Sequence, residues 1–186
     1  MQRLIAIAAT TLALAGCATA PPASLETPQL RLAPSLLGRP LNLQQLLTLQ
    51  APGHDQQLDV LLEADATHVQ LGVLAMGQVA ARLDWDGTTL TESKASWWPQ
   101  AVSGARILSD LQLTLWPVDA IQAALPAGWR LVEDGDVRTL TQDGQVVTVI
   151  TRSSPLLVEL DERRAHFRLK IESRELGAAA AAPANP

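Results

Sequence analysis

Polar and apolar residues alternate with a period of two along most of this chain. Leu41, Leu43, Leu47 and Leu49 fall on one face, with Asn42, Gln44 and Thr48 on the other. Leu58, Val60, Leu62 and Ala64 oppose Gln57, Asp59 and Glu63 in the same way. Val69, Leu71 and Val73 oppose His68 and Gln70, and Val79, Ala81, Leu83 and Trp85 oppose Gln78, Arg82 and Asp84. One apolar and one polar face per segment predicts antiparallel sheet with one side wet. Asp86-Gly87 and Asp143-Gly144 supply the positive-φ residues of tight turns, the second between Val137–Thr141 and Gln145–Thr151. Phe167, Leu169 and Ile171 alternate again with His166, Arg168 and Lys170. About ten strands are expected in all.

The alternation weakens between Trp97 and Pro126, where two helices are expected. The first lies around Val102–Leu113, although Leu111, Leu113 and Leu115 fit a strand as well as Leu108, Leu111 and Leu115 fit a helical stripe. The second runs from Pro117 to Leu125. Pro117 suits a first helical position, Asp119 complements the dipole, and Val118, Ile121 and Leu125 share a face. The expected fold is therefore mainly β with an α component: a curled antiparallel sheet or open half-barrel whose central helices plug an apolar cavity.

The ends carry a different pattern. Arg3 precedes an apolar run from Leu4 to Leu12, followed by Leu14-Ala15-Gly16-Cys17. The run is shorter than the ~20 residues a spanning helix needs. It reads as a secretory leader, and Leu-Ala-Gly-Cys resembles a bacterial lipobox. That resemblance implies cleavage after residue 16 and acylation of Cys17, the only cysteine, by diacylglyceryl and an amide-linked chain. Several chains together hold a protein to a bilayer where one barely does. Ala18, in place of the aspartate that resembles an inner-membrane retention signal, points to the periplasmic face of the outer membrane. Residues 17–40 are expected to form a proline-rich tether, 41–177 the folded domain, and 178–186 a disordered alanine and proline tail.

Loss of residues 1–16 removes Arg3 alone among the charged residues, leaving 13 basic against 19 acidic ones. An acidic domain is a poor partner for nucleic acid or an anionic bilayer face, so attachment is expected through lipid.

Three stretches carry a resemblance to known families: Leu83-Asp84-Trp85-Asp86-Gly87, Leu108-Ser109-Asp110-Leu111-Gln112-Leu113 with Trp116-Pro117, and Leu125-Pro126-Ala127-Gly128-Trp129. With the order lipobox, tether, strands, helices, strands, the chain resembles the Lol B and Lol A type of lipoprotein receptor and carrier, an open β-barrel with a helical lid around a lipid-holding cavity. It is most similar to an uncharacterised family of proteobacterial lipoproteins found near aryl polyene or fatty-acid-synthase-like genes. The resemblance implies an acyl or polyene cargo and a periplasmic Lol A-like carrier as partner. Met76, in Ala75-Met76-Gly77, corresponds to the receptor's protruding leucine and is expected at a membrane-facing tip, where its thioether adapts to apolar surfaces.

Leu71, Val73, Leu83, Trp85, Leu111 and Leu115 are the expected cavity-lining residues, and Trp97-Trp98 a candidate rim. Asp110 is expected to pair with Arg106 one helical turn away. No Gly-x-Ser-x-Gly elbow or His-Glu-x-x-His helix is present, and His54, His68 and His166 are far apart. The expected function is thus a non-enzymatic lipoprotein, without metal or nucleotide, that accommodates and transfers lipid. The alternative is a docking lipoprotein with a filled interior.

Overall fold

In the computed structural model, which describes residues 27–99 and 102–177, ten strands form one sheet with every pairing antiparallel. The first five are β1 (Leu41–Ala51), β2 (His54–Ala64), β3 (Val69–Ala75), β4 (Gln78–Trp85) and β5 (Leu90–Lys94). The last five are β6 (Trp129–Asp134), β7 (Val137–Gln142), β8 (Gln145–Ser154), β9 (Leu157–Glu162) and β10 (Phe167–Glu175). Each set is an up-and-down meander, and the two meet where β1 pairs with β10. The sheet curls without closing, so β5 and β6 are free edges and the molecule is a half-barrel rather than a barrel.

Two helices link those edges, α1 (Gly104–Leu115) and α2 (Val118–Ala124). The competing strand reading of Leu111–Leu115 gives way to helix. Ser103 caps α1 by accepting from the Arg106 N–H at 3.3 Å, and Leu108, Ser109, Gln112 and Leu113 are buried along it.

Turn chemistry sets the registers. Met76-Gly77 (φ +51° and +73°) joins Ala75 to Gln78, and Asp143-Gly144 (φ +50° and +81°) joins Gln142 to Gln145, both two-residue turns. Asp86 closes a longer loop, its Oδ1 accepting from the N–H groups of Thr88 and Thr89 at 2.7 Å. One expected side chain is reversed. The register shifts between Val73 and Leu74, so Val79 faces solvent at 45% exposure while Ala80 and Ala81 are buried.

The larger difference lies before β1. Thr27 to Leu37, expected as part of the tether, is a strap packed against the domain, with Leu30, Leu32 and Leu37 buried and Pro34–Leu37 forming a 3-10 turn. Spacing of the leucines among prolines and polar residues carries no helix or strand period. The strap is recognised by what it packs on, which the pattern does not reveal.

Candidate functional site

The concave face is built from strand positions that alternate inward. In the first meander these are mostly apolar: Leu41 and Leu43, Val60, Leu62 and Ala64, Val69, Leu71 and Val73, then Ala81, Leu83 and Trp85, with Gln45 a buried polar exception that donates to Ser173 Oγ at 3.0 Å. Four of the six expected cavity residues sit here, and Leu71, Val73, Leu83 and Trp85 are all at most 7% exposed. They belong to the packed core. Helix α1 covers Leu83 so closely that a Cβ on Gly104 would lie 2.7 Å from Leu83 Cδ2. Trp85 is sealed by the strap, donating from Nε1 to the Leu32 carbonyl at 2.8 Å beneath the Arg31 guanidinium.

The strap is held through the side chains of α1. Ser109 Oγ accepts from Leu30 N–H at 3.0 Å and donates to the Pro28 carbonyl at 2.9 Å. Gln112, fully buried, spans one residue with both ends of its amide: Oε1 accepts from Leu32 N–H at 3.0 Å and Nε2 donates to the Leu32 carbonyl at 2.9 Å. Trp116 Nε1 donates to the Ala33 carbonyl at 3.1 Å.

The second meander turns charge inward. Arg138, 5% exposed on β7, donates to the carbonyls of Leu113 (3.0 Å), Thr114 (3.2 Å) and Trp116 (2.8 Å) and to the Glu133 carboxylate. Arg152 of β8 joins it at Glu133 and Thr114. Burial pulls the Arg138 guanidinium below its usual range against the upward pull of Glu133, and the Arg138 hydrogen bond holds Glu133 below the usual carboxylate value. At the other end of α1, Glu92 of β5 accepts from Gly104 N–H at 2.9 Å. A carboxylate at the helix start and a guanidinium at its end complement the dipole, so α1 is pinned across the gap between the two edges.

A second polar cluster lies where β9 meets α1. Glu162, 1% exposed, accepts from Thr148 Oγ1 at 2.7 Å, Arg106 at 3.4 Å and Thr27 Oγ1 at 3.5 Å. Arg106 also pairs with Asp110 at 2.8 Å, as its i, i+4 spacing predicts. Burial pushes the Asp110 carboxyl up, with Arg106 opposing. Every buried polar side-chain atom described here has a hydrogen-bond partner, so the cluster ties the strap, α1 and the sheet together.

Between these filled flanks the middle of the concave face is only partly covered. Leu58 pairs with Leu47 and Leu47 with Ile171, while Leu49 pairs with Leu169. These five side chains and Phe167 are half-buried and contiguous on β2, β1 and β10. Ile107, Leu111 and Leu115, one stripe of α1, are half-buried as well. Leu111 and Leu115 are thus the two expected cavity residues that keep exposed apolar surface. The central strip was missed by sequence reasoning even though its alternation was legible, because periodicity assigns a face and not its cover.

Elsewhere the surface offers two open depressions. One, of about 390 Å³, lies at the β1–β2 turn among Gln50, Pro52, Asp55, His166 and Arg168. The other, of about 550 Å³, opens over Gly72 between Leu61, Gln70, Arg82 and Asp84 on the outward face. The first has a mainly polar border; the second is bordered mainly by apolar surface and includes Leu71 and Leu83 in its lining, but it opens on the outward face and not under the helices, where the apolar cavity was expected. Trp98 is buried, with Nε1 donating to the Val102 carbonyl at 3.2 Å, and Trp97 packs edge-on against it at 6.5 Å; neither borders these depressions. Met76 is 91% exposed at the β3–β4 turn. Cys17 lies outside the described residues. Among the described residues no group of three or more His, Cys, Asp or Glu side chains is placed to hold a metal ion.

The chain belongs to the family described as "Protein of unknown function (DUF3261)", whose sequence pattern matches residues 42–175, from the second residue of β1 to the end of β10. No curated protein matches it.

Proposed function

We propose that this protein is a non-catalytic lipoprotein, anchored through acylated Cys17 at the periplasmic face of the outer membrane, that lays an acyl or polyene chain along the central strip of its concave face. The observation that carries the proposal is the half-buried row Leu58, Leu47 and Ile171, continued by Leu49, Leu169 and Phe167, in a face whose flanks are otherwise packed. Each methylene removed from water there contributes about 0.8 kcal/mol. Transfer from a Lol A-like carrier to this strip and on to the bilayer would need no energy source beyond successive apolar burial. The Lol B-like order of elements and the exposed Met76 tip are consistent with such a handover, with Met76 meeting the bilayer.

The test uses the full chain with Cys17→Ser and a fluorescent fatty acid as probe. Saturable uptake is expected, weakened at least tenfold by Leu47→Glu or Leu169→Glu and unchanged by Leu61→Glu on the outward face. A folded protein that takes up no probe overturns lipid carriage. The packed state of Leu71, Val73, Leu83 and Trp85 supports a second reading, a docking lipoprotein for an envelope or biosynthetic complex, and that result favours it.

A further inference from the structure

The strap is bound in the way that a peptide ligand is bound. Between Pro28 and Ala33 its hydrogen bonds to the domain run from its own backbone to side chains of the domain, namely Trp85, Ser109, Gln112 and Trp116. Leu30 and Leu32, two residues apart, are 3% and 6% exposed. Side chains that read a backbone, together with apolar positions spaced by two, make a seat for an extended peptide.

Hydrocarbon is a poor substitute in that seat. Removing the strap strips partners from the Gln112 amide, the Ser109 hydroxyl and two indole N–H groups, and an acyl chain restores none of them. Another peptide backbone restores them all. The strap is joined to β1 only through Gly38, Arg39 and Pro40, all exposed, with Gly38 at φ +77° and open space around it. Rotation at this hinge would redirect the strap and leave the strands in place, uncovering the seat around Trp85 until another strap fills it.

We infer that the seat accepts an extended peptide in trans, and that its occupant is the strap of a second copy of this chain. The strap satisfies both leucine positions and every backbone contact at once. Exchange between two copies preserves these contacts and changes only the path through the hinge, which is the low-cost route to a symmetric dimer. The inference is independent of lipid carriage, since the seat and the central strip involve different residues.

Two measurements on the full chain carrying Cys17→Ser test it. A labelled peptide of residues 27–37 is expected to bind the Leu30→Asp/Leu32→Asp variant, whose own strap no longer competes, at least tenfold more tightly than the parent, and Gln112→Ala added to that variant should abolish binding. Circular dichroism establishes that each variant is folded. Native mass spectrometry of the parent should show a dimer that grows with concentration and is lost in Leu30→Asp/Leu32→Asp. Failure of the folded variant to bind peptide overturns the seat. Peptide binding by a chain that stays monomeric at every concentration overturns the second copy as occupant and leaves the seat to the chain's own strap. Neither readout involves lipid, so failure here leaves the fatty-acid experiment to decide lipid carriage separately.

Discussion

The two five-stranded halves of the sheet share a topology and differ in what they turn inward. The first half turns in mainly leucine, valine, alanine and Trp85, with Gln45 and Glu92 as polar exceptions; the second interleaves such residues with Arg138, Thr148, Arg152 and Glu162. An aliphatic wall is held by volume and contact, and tolerates any side chain that fills the same space. A charged wall is held by directed bonds, and fixes where α1 ends. Adhesion thus falls mainly to the first half and alignment mainly to the second, with Glu92 of the first half fixing the start of α1.

The same replacement in each half breaks this comparison most sharply. Arg138→Met keeps bulk but leaves the carbonyls of Leu113 and Trp116 without this donor and that of Thr114 with Arg152 alone, and we expect a loss of about 4 kcal/mol in urea unfolding. Leu62→Met in the first half should cost under about 1.5 kcal/mol in the same assay, because volume is conserved. Equal losses would mean that both walls are held by packing alone.

The smallest effect concerns acid. Asp65, in the β2–β3 turn, accepts from the Thr67 hydroxyl, Thr67 N–H and His68 N–H, and these bonds lower its pKa to about 2. A lowered carboxylate contributes stability above its unfolded value, near 3.8, and loses it as pH falls toward about 2. Asp65→Asn should therefore lower Tm slightly at pH 6, with the difference from the parent shrinking below pH 4. A difference that persists unchanged to pH 2 would place the loss in the turn's shape and not its charge.

The first half was also the legible half. Where every inward residue is apolar, as in β2 and β3, period two names the strand, its face and its neighbour. It fails at β5, Leu-Thr-Glu-Ser-Lys, whose inward Glu92 serves the start of α1. It fails likewise at β7, where inward Arg138 reads as a solvent residue. The Arg106–Asp110 pair was legible because helical spacing alone creates it, whereas Glu162 joins them from 52 residues beyond Asp110. Leu71, Val73, Leu83 and Trp85 lie buried on the inward face under a cover that the pattern does not show, since strap and helix arrive from distant parts of the chain.

The seated strap also sets a leash. From Cys17, the proposed anchor, to Thr27 the chain spans ten residues, at most about 35 Å even when drawn out straight. Counted to Leu41, the first residue of β1, the same path reaches roughly 80 Å. With that proposed anchor, a seated strap would hold the domain within the shorter reach of a bilayer, and lifting it would more than double the reach.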